Sequence, residues 1–353
     1  MKILAINPGS TSTKIAVYED ETPILVNNIR HTVEELSEFP RIIDQFEFRK
    51  NLVLDTLEAK GIPFDFDAIV GRGGLLKPIP GGVYEVNDAM LDDIAHAMRS
   101  HACNLGCLIA AELATLLPSC RAFIADPGVV DELEEVARIT GSPLMPRITI
   151  WHALNQRAIA RRYASEHNLC YENLSLIVCH LGGGISVGTH YHGRAIDVNN
   201  ALDGEGPFSP ERAGTLPAGQ LIDLCNSGRF TRDELKKRIS GSAGLTAHLG
   251  TTDVQVIVKR IEEGDTHAEL VLDAMIYQIA RSVGASATVL YGKIDAILLT
   301  GGMAHSDYII SRLKERISFL APIYVYPGED ELEALALNAL GALRGELPIQ
   351  VYQ

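Results

Sequence analysis

The sequence predicts an α/β protein in which two domains repeat one structural plan. The chain opens with an apolar strand that runs into a turn of glycine and hydroxyl residues and then into a second strand, and residues 176–188 repeat this order. In both halves strands then alternate with helices, which is typical of a sheet with helices on its faces. At 353 residues, the chain is long for one ordinary domain and suits two domains, each able to bury a core.

In the first half, short apolar segments and the residues that end them predict the positions of the strands and helices. A long helical stretch is closed by Gly61 and Pro63, and a buried strand ends at the glycine-rich loop that begins with Arg72. The predicted strands are residues 3–7, 15–18, 24–31, 68–71 and 121–125, and the predicted helices include 39–60 and 105–117.

The second half repeats this order of three strands followed by helices and further strands. The predicted strands are residues 176–179, 186–190, 195–198, 296–300 and 323–326, and the predicted helices are 217–225, 232–240, 253–262, 267–291 and 331–344. We expect a first domain of residues 1–148, joined by the C-terminal helix 335–353, and a second domain of residues 149–334.

Composition and charge argue against nucleic-acid binding and against a membrane-spanning segment. The net charge of −14 argues against a nucleic-acid surface, because such binding needs clustered Lys and Arg. The first residues enter a strand without a basic and apolar leader, so we expect a cytoplasmic protein. The longest apolar stretch, residues 270–290, is interrupted by Asp273, Gln278 and Arg281, which predicts a core helix instead of a membrane span.

The two repeated turns predict a phosphate-binding cleft. Glycine permits close backbone approach, and successive N–H and hydroxyl groups in such turns bind phosphate oxygens. We expect the first turn to be lined by Asn7, Ser10 and Ser12, and the second by Gly182, Gly183 and Gly184. Two facing copies indicate one nucleotide held in a cleft between the domains.

Together these motifs resemble the acetate and butyrate kinase family, within the actin, heat-shock and sugar-kinase superfamily. The resemblance implies two duplicated actin-like (ribonuclease H-like) domains, with ATP or ADP and Mg²⁺ bound between them and the nucleotide held mainly by the second. It also implies a short-chain carboxylate or its acyl phosphate as partner, and a homodimer or higher homo-oligomer. The matching segments, in order, are residues 7–14, 71–74, Asp126, 151–152, 180–186, Arg212, 301–302 and 327–332.

Departures from the acetate kinases indicate the branch of the family. Chain length and motif variants are similar to the butyrate and branched-chain acid kinases, so butyrate is the expected substrate, with isobutyrate, propionate and acetate as alternatives. Acetate kinases carry a bulkier apolar pair where this chain has Gly73 and Gly74. We expect these glycines to leave open volume for a longer acyl chain beside the substrate.

The resemblance also implies catalytic residues. Phosphoryl transfer to a carboxylate needs charge neutralisation more than covalent help, and arginine binds such anions bidentately. Arg72 and Arg212 match the family's substrate-side arginines. The family's histidine at position 152 faces the transferred group, and His180 opens the second turn.

A magnesium site is implied at two acidic positions. Asp126 matches the family's active-site aspartate, and Glu331 is the best match to the acidic residue near the end of the chain. The neighbouring Glu329 and Asp330 leave the second assignment open by one or two positions. Contact with the ion is expected mainly through water, as magnesium prefers.

The remaining family segments concern the adenosine. Asp253, Val254 and Gln255 match a segment near the ribose and adenine. Gly301 and Gly302 follow a buried strand, where backbone can approach the adenosine and α-phosphate closely.

Two other classes of function remain open at this point. One is an ATP-driven conformational protein like the actin and chaperone relatives, and a weaker one is a phosphatase-type sensor. A conformational protein has no need of a paired-arginine anion site, which favours the carboxylate kinase. No strong general base is expected, because a carboxylate is already ionised at neutral pH.

Overall fold

The computed structural model describes residues 1–97 and 101–353, and the chain divides into two compact units. The first unit combines Met1–Val130 with Asp330–Gln353, and the second unit is Asp131–Glu329. The C-terminal segment therefore returns to the unit in which the chain begins.

The chain passes from one unit to the other after Val130 and after Glu329, whereas the predicted domain boundaries are at residues 148 and 334. Residues after Val130 belong to the second unit because they bond to it, as Arg147 shows by donating to the Asp197 carboxylate at 2.8 Å. The later boundary moves because one continuous helix, Glu331–Leu343, spans the predicted position.

Strands and helices alternate along the described chain, as the sequence predicts. The strands are Lys2–Pro8 (β1), Ser12–Glu19 (β2), Thr22–Arg30 (β3), Ala68–Arg72 (β4), Val83–Glu85 (β5), Arg121–Ala125 (β6), Ser175–Leu181 (β7), Ile185–Tyr191 (β8), Arg194–Val198 (β9), Ala296–Gly301 (β10), Ile323–Pro327 (β11) and Ile349–Gln350 (β12). The α-helices are Val33–Ser37 (α1), Phe46–Ala59 (α2), Asp88–Ala95 (α3), Asn104–Thr115 (α4), Glu135–Arg138 (α5), Ala153–Glu166 (α6), Ala218–Asn226 (α7), Arg232–Ile239 (α8), Gly244–Leu249 (α9), Val254–Glu262 (α10), Thr266–Val289 (α11), Asp307–Ile317 (α12) and Glu331–Leu343 (α13).

The first unit is built on a seven-stranded sheet in the order β12-β5-β6-β4-β1-β2-β3. β1, β2 and β3 form an antiparallel meander, whereas β4 pairs with β1 and β6 pairs with β4 in parallel. The residues of β1 are almost all buried, which explains its continuous apolar run, since central strands of such sheets are covered on both faces.

The second unit repeats this topology in a five-stranded sheet with the order β11-β10-β7-β8-β9. β7, β8 and β9 form the antiparallel meander, and β10 and β11 extend the sheet in parallel from β7. The shared order of three antiparallel and two parallel strands confirms the predicted duplication.

Helix α4 contacts β4 through two glycines. A side chain on Gly71 would bring its Cβ within 2.9 Å of the Cys107 nitrogen, and one on Gly106 would lie 2.9 Å from the Arg72 nitrogen. The helix and the strand therefore touch backbone to backbone, immediately before the arginine that ends β4.

Helix α11 is a core helix of the second unit, as predicted. Leu272, Met275, Ile279 and Val283 are fully buried at helical spacing and pack into the main apolar cluster of that unit. None of the helices within residues 1–97 and 101–353 combines the length and apolarity needed to cross a membrane.

Candidate active site

Three of the predicted site residues lie at adjacent strand ends in the first unit. Asn7 is near the end of β1, Arg72 is the last residue of β4, and Asp126 directly follows β6. These strands are parallel neighbours, so their carboxyl ends share one sheet edge. In open α/β sheets this edge is where ligands bind.

Glu331, the first residue of α13, joins this group. Its carboxylate forms an ion pair with the Arg72 guanidinium through Oε1, and its Oε2 accepts a hydrogen bond of 2.6 Å from the Asn7 side chain. Glu331 and Asn7 are both buried. An acidic residue in the first turn is also favoured by the helix dipole.

The structure separates the three acids that the sequence leaves as alternatives. Glu331 lies among the site residues of the first unit, whereas Glu329 lies in the second unit and contacts the His180 ring at 3.1 Å. Asp330 precedes α13 as its N-cap residue without a capping side-chain bond.

Asp126 is held in an unusual backbone conformation. Its φ of 39° lies in the left-handed region that few residues other than glycine adopt. The buried carboxylate accepts a 2.8 Å hydrogen bond from the Gly82 N–H, and the Asp126 N–H donates to the Gly82 carbonyl. Strained conformations of this kind cluster at functional sites, where surrounding bonds keep them in place.

Arg49, a residue of α2, forms hydrogen bonds to the first glycine turn. Within the turn, the Gly9 N–H donates to the Ser12 carbonyl at 2.7 Å, and Ser10 is exposed. The Arg49 Nη1 donates to the carbonyls of Gly9 and Ser12, at 2.9 and 3.0 Å, and to the Thr13 hydroxyl at 3.1 Å.

Arg49 is fully buried, and burial lowers the pKa of its guanidinium to about 10. Its Nε donates to the Gln45 side chain at 3.0 Å, and Nη2 has no hydrogen-bond partner among the described residues. Sequence reasoning does not find this residue, because an arginine within a polar helix is ordinarily exposed.

Gly73 and Gly74 do not open a volume beside the substrate, so that interpretation of the sequence is wrong. A Cβ on Gly73 would lie 2.7 Å from the Cβ of Pro127, and one on Gly74 would lie 2.7 Å from the Cα of Asn104. The loop is tied down there by the Leu75 N–H, which donates to the Asn104 side chain at 2.9 Å. Side chains of Pro127 and Ile124 fill the space at Gly73, and Asn104 fills the space at Gly74.

The second glycine turn joins β7 to β8 in the second unit. The Gly182 N–H donates to the Gly184 carbonyl at 3.1 Å, and the Ser209 hydroxyl donates to the Gly183 carbonyl at 2.6 Å. A side chain on Gly184 would collide with the guanidinium of Arg212. The structure therefore brings the turn and this predicted arginine together.

Arg212 is a half-buried side chain whose Nη1 donates to the Ala201 carbonyl at 2.6 Å. Burial lowers the pKa of its guanidinium, and the charges of Glu211 and Asp203 oppose that shift.

His152 and His180 stack on each other beside this turn. Their ring centroids are 3.8 Å apart and their planes differ by 10°. His152, which precedes α6, contacts the Ser186 hydroxyl at 2.9 Å through Nδ1, and the His180 Nδ1 contacts the side-chain Oδ1 of Asn155 at 2.7 Å. The two predicted histidines are thus parts of one cluster.

A cavity of about 1050 Å³ lies within the second unit and is lined by half of the predicted nucleotide residues. It is formed between the second glycine turn, the start of α10 and the residues after β10. The predicted residues that line it are Gly182, Gly183, Asp253, Val254, Gln255 and Gly302, and residues not predicted include Lys259, His305 and Tyr308.

Two of the predicted nucleotide residues also have clear structural tasks. The Asp253 carboxylate caps α10 by accepting from the Gln255 N–H at 2.8 Å. Gly301 has a φ of 93° and lies so close to β7 that its Cβ would be 2.7 Å from the Leu181 nitrogen. A glycine is therefore needed there for packing alone.

Comparison with known proteins assigns the family. Residues 149–321 match the acetokinase family. The chain is 78% identical to a probable butyrate kinase of Bacteroides thetaiotaomicron over 353 residues. The match covers 100% of both proteins. The chain belongs to the acetokinase family. A probable butyrate kinase of Phocaeicola vulgatus is 57% identical to this chain, over 100% of this chain and 99% of its own.

Solved structures support the same acetokinase fold. The crystal structure of Porphyromonas gingivalis acetate kinase superposes with a TM-score of 0.80 over 97% of this chain and 99% of that chain, at 18% sequence identity. This likeness concerns the fold, and it confirms the predicted pair of actin-like α/β domains. The family resemblance inferred from the motifs is confirmed by the family match and by the relative that is 78% identical.

Proposed function

We propose that this acetokinase transfers the γ-phosphoryl group of ATP reversibly to a short-chain fatty acid, with butyrate as the preferred acid. A carboxylate oxygen attacks the γ-phosphorus directly, the bond from that phosphorus to the β-phosphate oxygen breaks, and butyryl phosphate and ADP are formed. The observation that carries this proposal is the 78% identity, over the full chain, to a probable butyrate kinase.

The two arginines suit the charge that such a reaction must neutralise. Arg72 lies at the carboxyl edge of the first sheet, and Arg212 lies against the second glycine turn. We propose that they bind the carboxylate and the transferred group, because a guanidinium stays charged and matches both anions in geometry. No base is required, since the nucleophile is already an anion.

His152 and His180 supply further polar groups near the second turn. We propose that His152 donates a hydrogen bond to the transferred phosphoryl group and that His180 holds the start of the turn in place. The stacking of the two rings and the bond between His180 and Asn155 support this division of tasks.

The cavity in the second unit suits a nucleotide. Its volume of about 1050 Å³ is at the upper end of ordinary ligand sites. We propose that Gly182, Gly183 and Gly302 let backbone approach the phosphates and the adenosine, and that Val254 and Gln255 contact the base and ribose. Asn7, Ser10 and Ser12 would contact the terminal phosphate from the first turn.

Asp126 and Glu331 have the chemistry that magnesium prefers, since carboxylate oxygens are hard ligands. Both oxygens of Glu331 already accept from Arg72 and Asn7, so we propose that Glu331 contacts the ion through water. The bound ion would neutralise charge on the terminal phosphates.

We further propose a cytoplasmic homodimer or higher homo-oligomer, on the strength of the family resemblance. Light scattering on the eluate of a size-exclusion column measures the assembly directly, and a mass of one chain contradicts it.

The test of the activity uses purified protein, MgATP and hydroxylamine, which converts an acyl phosphate to a hydroxamate. A panel of acetate, propionate, butyrate and isobutyrate is expected to give the highest kcat/KM with butyrate. ATP hydrolysis at the same rate with and without an acid would contradict the kinase. A higher kcat/KM with acetate or propionate would retain the kinase and change its substrate.

A further inference from the structure

Five side chains of the second unit form one buried chain of hydrogen bonds that ends at His152. The Tyr171 hydroxyl contacts Nδ1 of His190 at 2.7 Å, and Nε2 of His190 contacts Oε1 of Gln156 at 3.0 Å. Nε2 of Gln156 donates to the Ser186 hydroxyl at 2.8 Å, and this hydroxyl contacts Nδ1 of His152 at 2.9 Å. The site described above uses only the last of these contacts.

The interior members of the chain are shielded from water. Gln156, Ser186 and His190 are fully buried, and Tyr171 is almost so. Burial lowers the pKa of His190 to about 3, so this ring is neutral at physiological pH. A neutral imidazole has one nitrogen that donates and one that accepts, so the hydrogen bonds between Tyr171 and His152 must all run in a defined donor-to-acceptor direction.

The direction is set at Gln156. Its side-chain nitrogen also contacts the backbone carbonyl of Ser186 at 3.0 Å, and a carbonyl can only accept. The amide NH₂ group therefore faces Ser186, and the amide oxygen faces His190. As a consequence, Nε2 of His190 carries the hydrogen and Nδ1 accepts from the Tyr171 hydroxyl.

The same direction continues to His152. The Ser186 hydroxyl accepts from Gln156, and it also contacts Nδ1 of His152 at 2.9 Å, which can accept the hydroxyl hydrogen. A hydroxyl that accepts one bond and donates another leaves Nδ1 of His152 as an acceptor. In the neutral ring the hydrogen then resides on Nε2.

We infer that Gln156, backed by His190 and Tyr171, is a positioning residue that fixes His152 as the Nε2–H tautomer. The consequence for catalysis rests on the proposed function. A ring held in this form presents an N–H donor, and not a lone pair, to the oxygens of the transferred phosphoryl group. The opposite tautomer would set a lone pair against negative charge.

The test substitutes the residue that sets the direction. Gln156→Glu keeps the length of the side chain and an acceptor for His190, and in the ionised form its carboxylate accepts from Ser186 instead of donating. The Ser186 oxygen then faces Nδ1 of His152 with a lone pair, and His152 is expected to move its hydrogen to Nδ1. Nitrogen-15 NMR of histidine-labelled protein reads the tautomer directly, with the His152 signals assigned by their loss in His152→Gln.

Ser186→Ala is the second variant, in case the buried carboxylate prevents folding. It removes the donor to His152, so the Nδ1 resonance is expected to move to that of an acceptor without a hydrogen bond. Thr189→Val is the matched control, because Thr189 is buried in the same strand and its hydroxyl has no partner among the described residues. It should leave the His152 signals unchanged.

Turnover supplies the second readout. For a folded Gln156→Glu protein we expect kcat to fall about 100-fold, the scale of one lost transition-state hydrogen bond, with KM values unchanged. The inference is overturned if wild-type His152 carries its hydrogen on Nδ1, or if both variants leave the His152 signals as they are. If the tautomer changes and turnover does not, the inference about Gln156 stands and the proposed role of His152 in phosphoryl transfer fails.

Discussion

Arg72 and Glu331 form an ion pair at the carboxyl end of β4, between residues 259 positions apart in the sequence. The pair neutralises the arginine at the edge of the sheet where an anionic substrate is proposed to bind. Because Glu331 also accepts from Asn7, its carboxylate connects the ends of β1 and β4. An anion that binds to Arg72 therefore competes with a carboxylate held in place by two elements.

Replacing either site arginine should abolish most of the activity without unfolding the protein. Loss of one transition-state contact typically lowers kcat about 10²- to 10³-fold, and we expect this for Arg72→Ala and Arg212→Ala. The hydroxamate assay measures the rate, and circular dichroism checks the fold. Arg121→Ala is the control. Arg121 pairs with Glu85 and begins β6, at the end of this strand opposite Asp126. Turnover near that of the control would exclude the arginine concerned from catalysis.

Arg49 should determine both the stability of the first turn and its affinity for ATP. Arg49→Met keeps the bulk of the side chain but removes the guanidinium donor to the Gly9 and Ser12 carbonyls, while the Ser12 carbonyl keeps its bond from the Gly9 N–H. We expect the free energy of unfolding in urea to fall by about 3 kcal/mol. The KM for ATP should rise about tenfold, equivalent to about 1.4 kcal/mol.

The exposed Arg41, which pairs with Asp44, provides the control substitution Arg41→Met for this experiment. It should change neither quantity. A loss of stability with an unchanged KM for ATP would limit Arg49 to a structural task.

The buried His190 should make stability depend on pH. The pKa of His190 falls from its usual 6.5 to about 3, so between these values the unfolded chain binds a proton that the folded chain excludes. Stability from this residue is complete above pH 6.5 and is lost as pH falls towards 3, by up to roughly 1.4 kcal/mol per pH unit.

Urea unfolding of wild type and His190→Gln at several pH values isolates this contribution, since other groups titrate equally in both proteins. The difference in free energy of unfolding between the two should shrink as pH falls below 6.5. His96→Gln, at an exposed histidine, should follow wild type throughout. Parallel curves for wild type and His190→Gln would show that the pKa of His190 is the same in the folded and unfolded chains.

Gly74→Ala should destabilise the protein without changing which acid it prefers. The new Cβ would lie 2.7 Å from the Cα of Asn104, and overpacking of this kind costs about 1–3 kcal/mol. We expect a lower thermal midpoint and an unchanged ratio of kcat/KM for butyrate over acetate. Gly219→Ala, where the Cβ meets no atom within 4 Å, should not lower the midpoint. A shift towards acetate in Gly74→Ala would restore the open-volume interpretation.

The sequence predicts the duplicated sheets well, because their central strands are continuous apolar runs that end in glycine turns. It also puts Arg72 and Asp126 at strand ends, and the structure shows that these two strands are parallel neighbours whose ends share one sheet edge. It cannot distinguish Glu331 from Glu329, because the division between the units falls immediately after Glu329.

Other features depend on what lies across from a residue, which the sequence does not disclose. Gly74 illustrates this: the absence of a side chain does not reveal whether the space is empty or filled by Asn104. Arg49 and Gln156 are polar residues within helices and resemble surface positions by pattern. Their importance comes from partners on other strands and turns, which only the folded chain brings near.

The backbone contact between Gly71 and Gly106 limits how this protein can change over evolution or in a design library. Neighbouring side chains can adjust to most substitutions in a core, but no rotamer can move a peptide group out of the way. A larger residue at either position must slide α4 along β4, and Arg72 would be carried with it. The two glycines thus fix the position of Arg72 relative to α4. A design library should therefore vary other positions of the core.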